Sequence, residues 1–213
     1  CGGGHLVEQL ALAVGGKGHI YGLDQSEDQL AQAQIKCQNF HNVSLIRSSA
    51  DQIDLASNCC NTITSIQTFE YVENIDRALE EATRILKPGG TFVNISILWD
   101  HFKFFGAEED LNELIHTTFK KRRFHQMLPM ELPGKLINLG YQNIKNKSLA
   151  FVVTHRDQNS PAKHSEETMA NFAITQGISK TKVTEWRSQL SQAEIEGRFG
   201  FTSFPVLTNA FLP

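Results

Sequence analysis

Long apolar runs are missing from this 213-residue chain: the longest are strand-length, well short of the roughly 18 residues that cross a bilayer, so no membrane span is expected. No secretory-signal pattern marks the start. A surplus of one charge is missing too. Twenty Lys and Arg stand against 23 Asp and Glu, giving −3 at pH 7 without a dense basic stripe, which argues against a general nucleic-acid binder. Cysteine is scarce. Cys1, Cys37, Cys59 and Cys60 include one adjacent pair and no zinc-type spacing with histidine. Neither a disulfide framework nor a metal site is expected, and a reducing cytoplasm is the expected compartment. Internal repeats are absent. What remains is an ordinary globular composition, 40% hydrophobic and 20% charged, long enough for one α/β domain with a small cap.

Two periodicities alternate along the first hundred residues. Leu6, Leu10 and Val14, flanked by Val7 and Ala11, recur at helical spacing before Gly15 and Gly16. His19 to Leu23 reads as a short buried strand ending at Asp24. Ser26-Glu27-Asp28-Gln29 predicts a capping box, with Gln29 reaching back to the cap, and a helix to about Phe40. Val43–Arg47 and Asn61–Ile66 read as strands, Ile75–Leu86 as an amphipathic helix stopped by Lys87-Pro88-Gly89-Gly90, and Thr91–Leu98 as the next strand. The order implies a doubly wound, mostly parallel sheet with helices on both faces. Residues 100–135 read as a helical insertion over the carboxyl rim of the sheet, broken by Pro129 and Pro133, with a short helix over Gly134–Leu139. Asn143–Thr154 is a strand candidate, two amphipathic helices follow over His164–Gly177 and Ser179–Gln192, and Phe199–Leu212 closes the chain as an antiparallel final strand. The expected organisation is a core over 1–99, an insertion or lid over 100–135, and the rest of the sheet with two appended helices over 136–213.

The chemistry begins at Cys1-Gly2-Gly3-Gly4, which leads straight into a helix: glycines let a ligand approach the backbone, and a helix start offers free amides. Asp24 stands at the end of the next strand, where a carboxylate can accept both hydroxyls of a ribose; its competing role is a helix cap. A dinucleotide turn needs a third small residue, and that place holds Val7. No second glycine turn marks another mononucleotide half. One adenosine-bearing ligand fits better than a dinucleotide.

Together these residues resemble the class I S-adenosylmethionine-dependent methyltransferases. The resemblance rests on Cys1-Gly2-Gly3-Gly4, Tyr21-Gly22-Leu23-Asp24-Gln25-Ser26, Ser49-Ala50-Asp51, Ser65-Ile66-Gln67-Thr68-Phe69-Glu70-Tyr71-Val72 and Ala78 through Gly90, in that order. It is strong over residues 1–98. Beyond them, Trp99-Asp100, the Leu132-Pro133 region and the Phe-rich end resemble a bacterial branch related to quinone-biosynthesis and arsenite methyltransferases. In that family a strand ending in acidic-x-Gly precedes the glycine turn, so the expectation is that the first strand is missing from this chain. The resemblance implies S-adenosylmethionine as cofactor and a small-molecule methyl acceptor as partner, with no nucleic acid and a homodimer as the assembly to consider. Gly2 and Gly4 would pass under the methionine part, Asp24 would hold the ribose and Gln25 would line the adenine. Asp51 would accept from the adenine amino group, Ala50 would offer a backbone amide, and Gln67 would sit near the methionine moiety. Asp51 as a turn cap and Gln67 as a strand end are the competing roles.

Methyl transfer is an in-line displacement, and a general base is needed only for a nucleophile that starts protonated with a high pKa. His101 and His125 are the candidate bases, with Asp100 beside them. Trp99, Phe102, Phe104 and Phe105 either line an apolar acceptor pocket or pack the insertion, and Lys120–Arg123 either attracts an acidic acceptor or forms a solvated face. Glu70 and Tyr71 read as loop support, and Cys59-Cys60 as a loop or strand start. Two other functions compete: a non-catalytic methyltransferase-like binding subunit and, disfavoured by Val7, an NAD(P)-dependent oxidoreductase.

Overall fold

The computed structural model describes residues 1–213. Helix α1 (His5–Val14) leads through a single 3-10 turn to β1 (Ile20–Asp24), α2 (Glu27–Cys37) and β2 (Val43–Arg47). Strand β1 pairs with β2 in parallel, Ile20 opposite Val43 and Asp24 opposite Arg47. Then come β3 (Cys60–Ile66), α3 (Ile75–Ile85) and β4 (Leu86–Ile97), with β3 and β4 also parallel. Two late strands, β6 (Gln142–Ser148) and β9 (Pro205–Phe211), complete a four-stranded sheet in the order β3-β4-β9-β6, with β9 antiparallel to both neighbours. The parallel strands with interposed helices and the antiparallel last strand are as the sequence implies. The β1–β2 pair forms a separate sheet, and no strand among residues 1–213 joins β1 to β3.

Helix α3 buries Ile75, Ala78, Leu79, Ala82 and Ile85 along one face, and Asn74 caps it by accepting the Arg77 N–H at 3.1 Å. That face meets β4 and Leu128, Leu132 and Leu136 of α5 (Leu128–Asn138) in a 12-residue apolar cluster. Pro129 and Pro133 therefore do not break the insertion as expected. Pro129 lies in the first turn of α5, where its lacking N–H costs nothing, and Pro133 lies inside the helix. Pro133 cannot donate to the Pro129 carbonyl one turn back; Asn146 Nδ2 reaches that carbonyl instead, at 3.5 Å.

A second apolar cluster of 18 residues lies outside the main sheet. It gathers α4 (Glu109–Lys120), α6 (Pro161–Thr175), α7 (Lys180–Ile195) and a small antiparallel sheet of β5 (Lys103–Phe105), β8 (Gly200–Ser203) and β7 (Phe151–Val153). The expected strands 143–154 and 199–212 are thus each two strands serving two sheets. Both change sheets at one corner, where Leu149 N–H donates to the Pro205 carbonyl (2.8 Å) and Leu98 N–H to the Phe204 carbonyl (3.0 Å). Pro205, which has no N–H to give a ladder, opens β9. Inside this unit Trp186 donates to Asn112 Oδ1 (3.0 Å), Asn112 donates to the Phe104 carbonyl (2.7 Å) and Phe104 N–H donates to His116 Nε2 (3.0 Å). All four cysteines are free, with the Cys59 and Cys60 sulfurs 3.6 Å apart. No helix is long and apolar enough to cross a membrane.

Candidate functional site

The glycine turn and Asp24 are joined directly. Asp24 Oδ2 accepts from Gly2 N–H at 2.8 Å and from the Cys1 nitrogen at 3.0 Å, while Oδ1 accepts from Ser26 N–H at 3.0 Å. Burial alone would raise this carboxyl. The backbone bonds from Ser26 and Gly2 work against it, and its pKa lies below the ordinary value. The side chain remains 19% exposed, and three N–H donors do not exhaust the lone pairs of two carboxylate oxygens. The capping box is half-formed. Ser26 Oγ accepts from Gln29 N–H at 3.4 Å, but Asp24, rather than Gln29, takes the Ser26 N–H.

Gly4 is left-handed at φ 86° and supplies the N-cap of α1 without any side-chain cap, which leaves the first-turn amides to other partners. A Cβ on Gly4 would stand 2.9 Å from Ala33 Cα, so the turn lies directly against α2. The place where Val7 replaces a small residue is relieved across the interface: a Cβ on Gly22 would come within 3.0 Å of Val7 Cγ2. The strand, rather than the helix, carries the glycine that lets them pack.

Gln25 follows Asp24 and is exposed; Ala50 and Asp51 are half-buried in the loop after β2. Asp51 Oδ1 accepts from the Ser49 hydroxyl, while the Ile53 N–H that a capping Asp51 would take goes to Glu81. The same loop borders an open cleft of about 470 Å³ lined by Arg47, Ser48, Ser49, Gln52, Ile53 and Asp54. It is held from below. Glu81 Oε2 accepts from Ile53 N–H (2.9 Å), and Arg84 donates to the carbonyls of Ile53 and Leu55 (2.8 Å each) while binding Glu81 Oε1 through Nε at 2.9 Å. The Arg84 hydrogen bond is the main reason the Glu81 pKa falls to about 2. Sequence reading missed this clamp. Its trace is an acidic residue at 81, on the face of α3 otherwise lined by Ala78, Ala82 and Ile85.

Gln67 lies just past β3 with φ 49°, a left-handed conformation that only two asparagines share among the non-glycine residues, and its N–H donates to the Ile95 carbonyl at 2.8 Å. A long side chain held there is local strain at the carboxyl rim. Three residues on, Glu70 is fully buried, with Oε1 accepting from Ile97 N–H at 3.0 Å. Burial pushes its carboxyl up. Its carbonyl accepts Phe124 N–H (2.9 Å) and His125 N–H (3.3 Å), which fastens the turn between α4 and α5 over this rim.

The basic run is no uniform solvated face. Lys120 pairs with Asp100 at 2.9 Å. Arg123 is buried, its guanidinium carbon 3.5 Å from the Trp99 ring centre and 4.0 Å from that of Phe119. Trp99, Phe102 and Phe104 are all buried in the 18-residue cluster, so they pack the insertion; Phe105 is exposed. His101 is exposed beside the Phe204 ring, centroids 5.7 Å apart. His125 is half-buried and tethered: Nε2 donates to the Val72 carbonyl at 3.1 Å, and Nδ1 lies 3.8 Å from Glu131. Glycine turn, Asp24, the 48–54 loop and Gln67 all follow or adjoin the carboxyl ends of parallel strands, where open α/β sheets bind ligands.

Comparison with known proteins identifies the family. The family described as a methyltransferase domain matches residues 1–187. A demethylmenaquinone methyltransferase of Oceanobacillus iheyensis is 28% identical over 167 residues, 70% of this chain and 69% of that protein. One from Geobacillus stearothermophilus is 36% identical over 95 residues, 44% of this chain and 41% of that protein, so the match spans under half of that relative. Among solved structures, the Haemonchus contortus phosphoethanolamine N-methyltransferase 2 in complex with S-adenosyl-L-methionine superposes at a TM-score of 0.62 with 16% identity, covering 100% of this chain and 47% of that one. The chain belongs to the methyltransferase-domain family.

Proposed function

We propose that this chain carries out S-adenosylmethionine-dependent methyl transfer to a small-molecule acceptor. One observation carries the reading: a single carboxylate, Asp24, binds the N–H of Gly2 in the glycine turn and keeps lone pairs free at the strand end. The residues present suit the cofactor. Asp24 would accept from the ribose hydroxyls, Gly2 and Gly4 would let the methionine portion approach the backbone, and Gln25, Ala50 and Asp51 would line the adenine. Gln67 would border the methionine end. When bound, the cofactor supplies an activated sulfonium methyl, which carries the difficult chemistry.

The protein's own part is placement and exclusion of water. The Glu81–Arg84 clamp holds the loop of Ala50 and Asp51 fixed before any ligand arrives. The turn over Glu70 shields the ends of β3 and β4. Of the two candidate bases, His101 is exposed, with its ring against Phe204 and no ring hydrogen bond within the protein, so its imidazole would be the one free to take a proton. Both nitrogens of His125 face protein groups, so His125 acts first as a tether of the lid.

Calorimetric titration of the full-length protein with S-adenosylmethionine tests the reading. One-to-one binding is expected, with release of S-adenosylhomocysteine when an acceptor is supplied. No binding would favour a methyltransferase-like subunit that acts through its surface.

A further inference from the structure

Four buried side-chain polar atoms carry no hydrogen-bond partner within the protein, and three belong to one neighbourhood: Glu70 Oε2, Trp99 Nε1 and Arg123 Nε. Their residues are 0%, 3% and 5% exposed. The grouping follows from contacts already described. Arg123 stacks on Trp99 at 3.5 Å and donates through Nη2 to the Tyr71 hydroxyl at 3.2 Å, beside Glu70 in sequence. Glu70 Oε1 is held by Ile97, two residues before Trp99. No ion pair joins Glu70 to Arg123, although each feels the other's charge. Two opposite charges buried out of contact, each with a free hydrogen-bonding site, are costly unless something joins them.

The count of free sites is selective. There is one acceptor, Glu70 Oε2, and there are two donors, Trp99 Nε1–H and Arg123 Nε–H. A hydroxyl has one O–H to give and two lone pairs to receive, which matches all three. A carboxylate would meet repulsion from Glu70, a protonated amine would meet Arg123, and a ketone has nothing to offer Glu70. Tyr71, Trp99 and Phe119 pack around the Arg123 guanidinium and fix its position. The cluster lies past the carboxyl ends of β3 and β4, beside strained Gln67. Its cover is the turn between α4 and α5, tied to the Glu70 carbonyl by two N–H groups and bearing Phe124, which is 58% exposed.

We propose that Glu70, Trp99 and Arg123 form a hydroxyl-recognising subsite for the methyl acceptor, reached when that turn lifts, and that the acceptor bears a neutral hydroxyl. This rests on the methyl-transfer reading above. Three small aromatic probes test it: phenol, benzylamine (protonated at pH 8) and benzoate, each titrated calorimetrically into the full chain with S-adenosylhomocysteine present, at pH 8. Phenol should bind one-to-one at least tenfold more tightly than either of the others. Glu70→Gln should abolish that preference, because its amide oxygen keeps Ile97 while its NH2 turns a donor toward the subsite; its affinity for S-adenosylmethionine should stay within twofold. Equal binding of the three probes, or none, would overturn the subsite, and the wild-type panel decides this even if the variant fails to fold. Loss of S-adenosylmethionine binding by the wild type would instead overturn the underlying reading.

Discussion

The two apolar clusters of this molecule are built to different ends. The cluster under α3 and α5 supports a rim of polar loops: Asp24 ties the glycine turn, and Glu81 with Arg84 ties the 48–57 loop. Its charged groups stand at the edge and hold backbone. The larger cluster is aromatic-rich, with Phe104, Phe201 and Trp186 wholly buried, and its polar chain, His116–Phe104–Asn112–Trp186, is sealed inside. The first region carries a polar rim, whereas the second makes a stiff body from which one turn reaches over that rim. The contrast predicts that cofactor affinity and fold stability are separable by mutation.

The largest expected effect falls on the second region. Trp186→Ala removes a fully buried indole and leaves Asn112 Oδ1 without its donor, and should cost about 3–5 kcal/mol, read as a lower denaturation midpoint. If the midpoint drops while S-adenosylmethionine affinity at low temperature is kept, the separation holds; a parallel loss of both breaks it.

Acid sharpens the same contrast through two windows. Burial lowers the His116 pKa to about 4, well under that of an exposed imidazole. The unfolded chain takes up this proton first, so its contribution is whole above about pH 6.5 and is lost as pH falls toward 4, roughly 3 kcal/mol in all. Glu81, with a pKa near 2, contributes above the ordinary carboxylate range and loses its share only between there and about pH 2. Denaturant titrations at a series of pH values should show the aromatic region weakening first. In His116→Gln the upper window should flatten, and an unchanged profile would remove His116 from the account.

Legibility in the sequence divides along the same line. In the first hundred residues each helix and strand carries its own period, and the predicted bounds of α1, β2 and α3 match to a residue or two because local pattern and tertiary burial agree. The second region is held by three- and four-residue strands paired across the chain, Phe104 with Phe201 and Val153 with Phe201, which no local period announces. Pro133 read as a breaker because its compensating partner, Asn146, comes from another element. The candidate site is similar. Asp24 and the glycine turn were readable from spacing, and their direct bond is a finding of the fold. Glu70 read as loop support because its burial depends on a turn that arrives fifty residues later, and Arg123 stayed open between acceptor attraction and a solvated face because the rings that bury it, Tyr71 and Trp99, come from other elements.

On the ligand side, Asp24→Ala should weaken S-adenosylmethionine by roughly 2 kcal/mol or more, about thirtyfold in affinity, through lost charge-assisted bonds to the ribose and a loosened glycine turn. Asp24→Asn separates these two causes. Its amide oxygen retains one acceptor for Gly2 N–H but not the charge, so the affinity it recovers belongs to the turn and the remaining loss to the charge facing the ribose. Affinity within twofold of wild type in the alanine variant would sink the role given to Asp24.

The smallest effect is expected at Gln67, and it has opposite signs in the two measurements. The residue sits at φ 49° with its side chain exposed, so no packing accounts for a glutamine there. Gln67→Gly relieves a left-handed strain of order 1 kcal/mol, partly offset by the greater freedom of glycine in the unfolded chain, and should raise the denaturation midpoint slightly. If the side chain borders the methionine end of the cofactor, the same variant should bind S-adenosylmethionine a few-fold more weakly. A gain in stability together with a loss in affinity is the mark of strain kept for a ligand. A variant that is more stable and binds equally well would show instead that Gln67 merely ends a strand, and that the polar rim stops short of it.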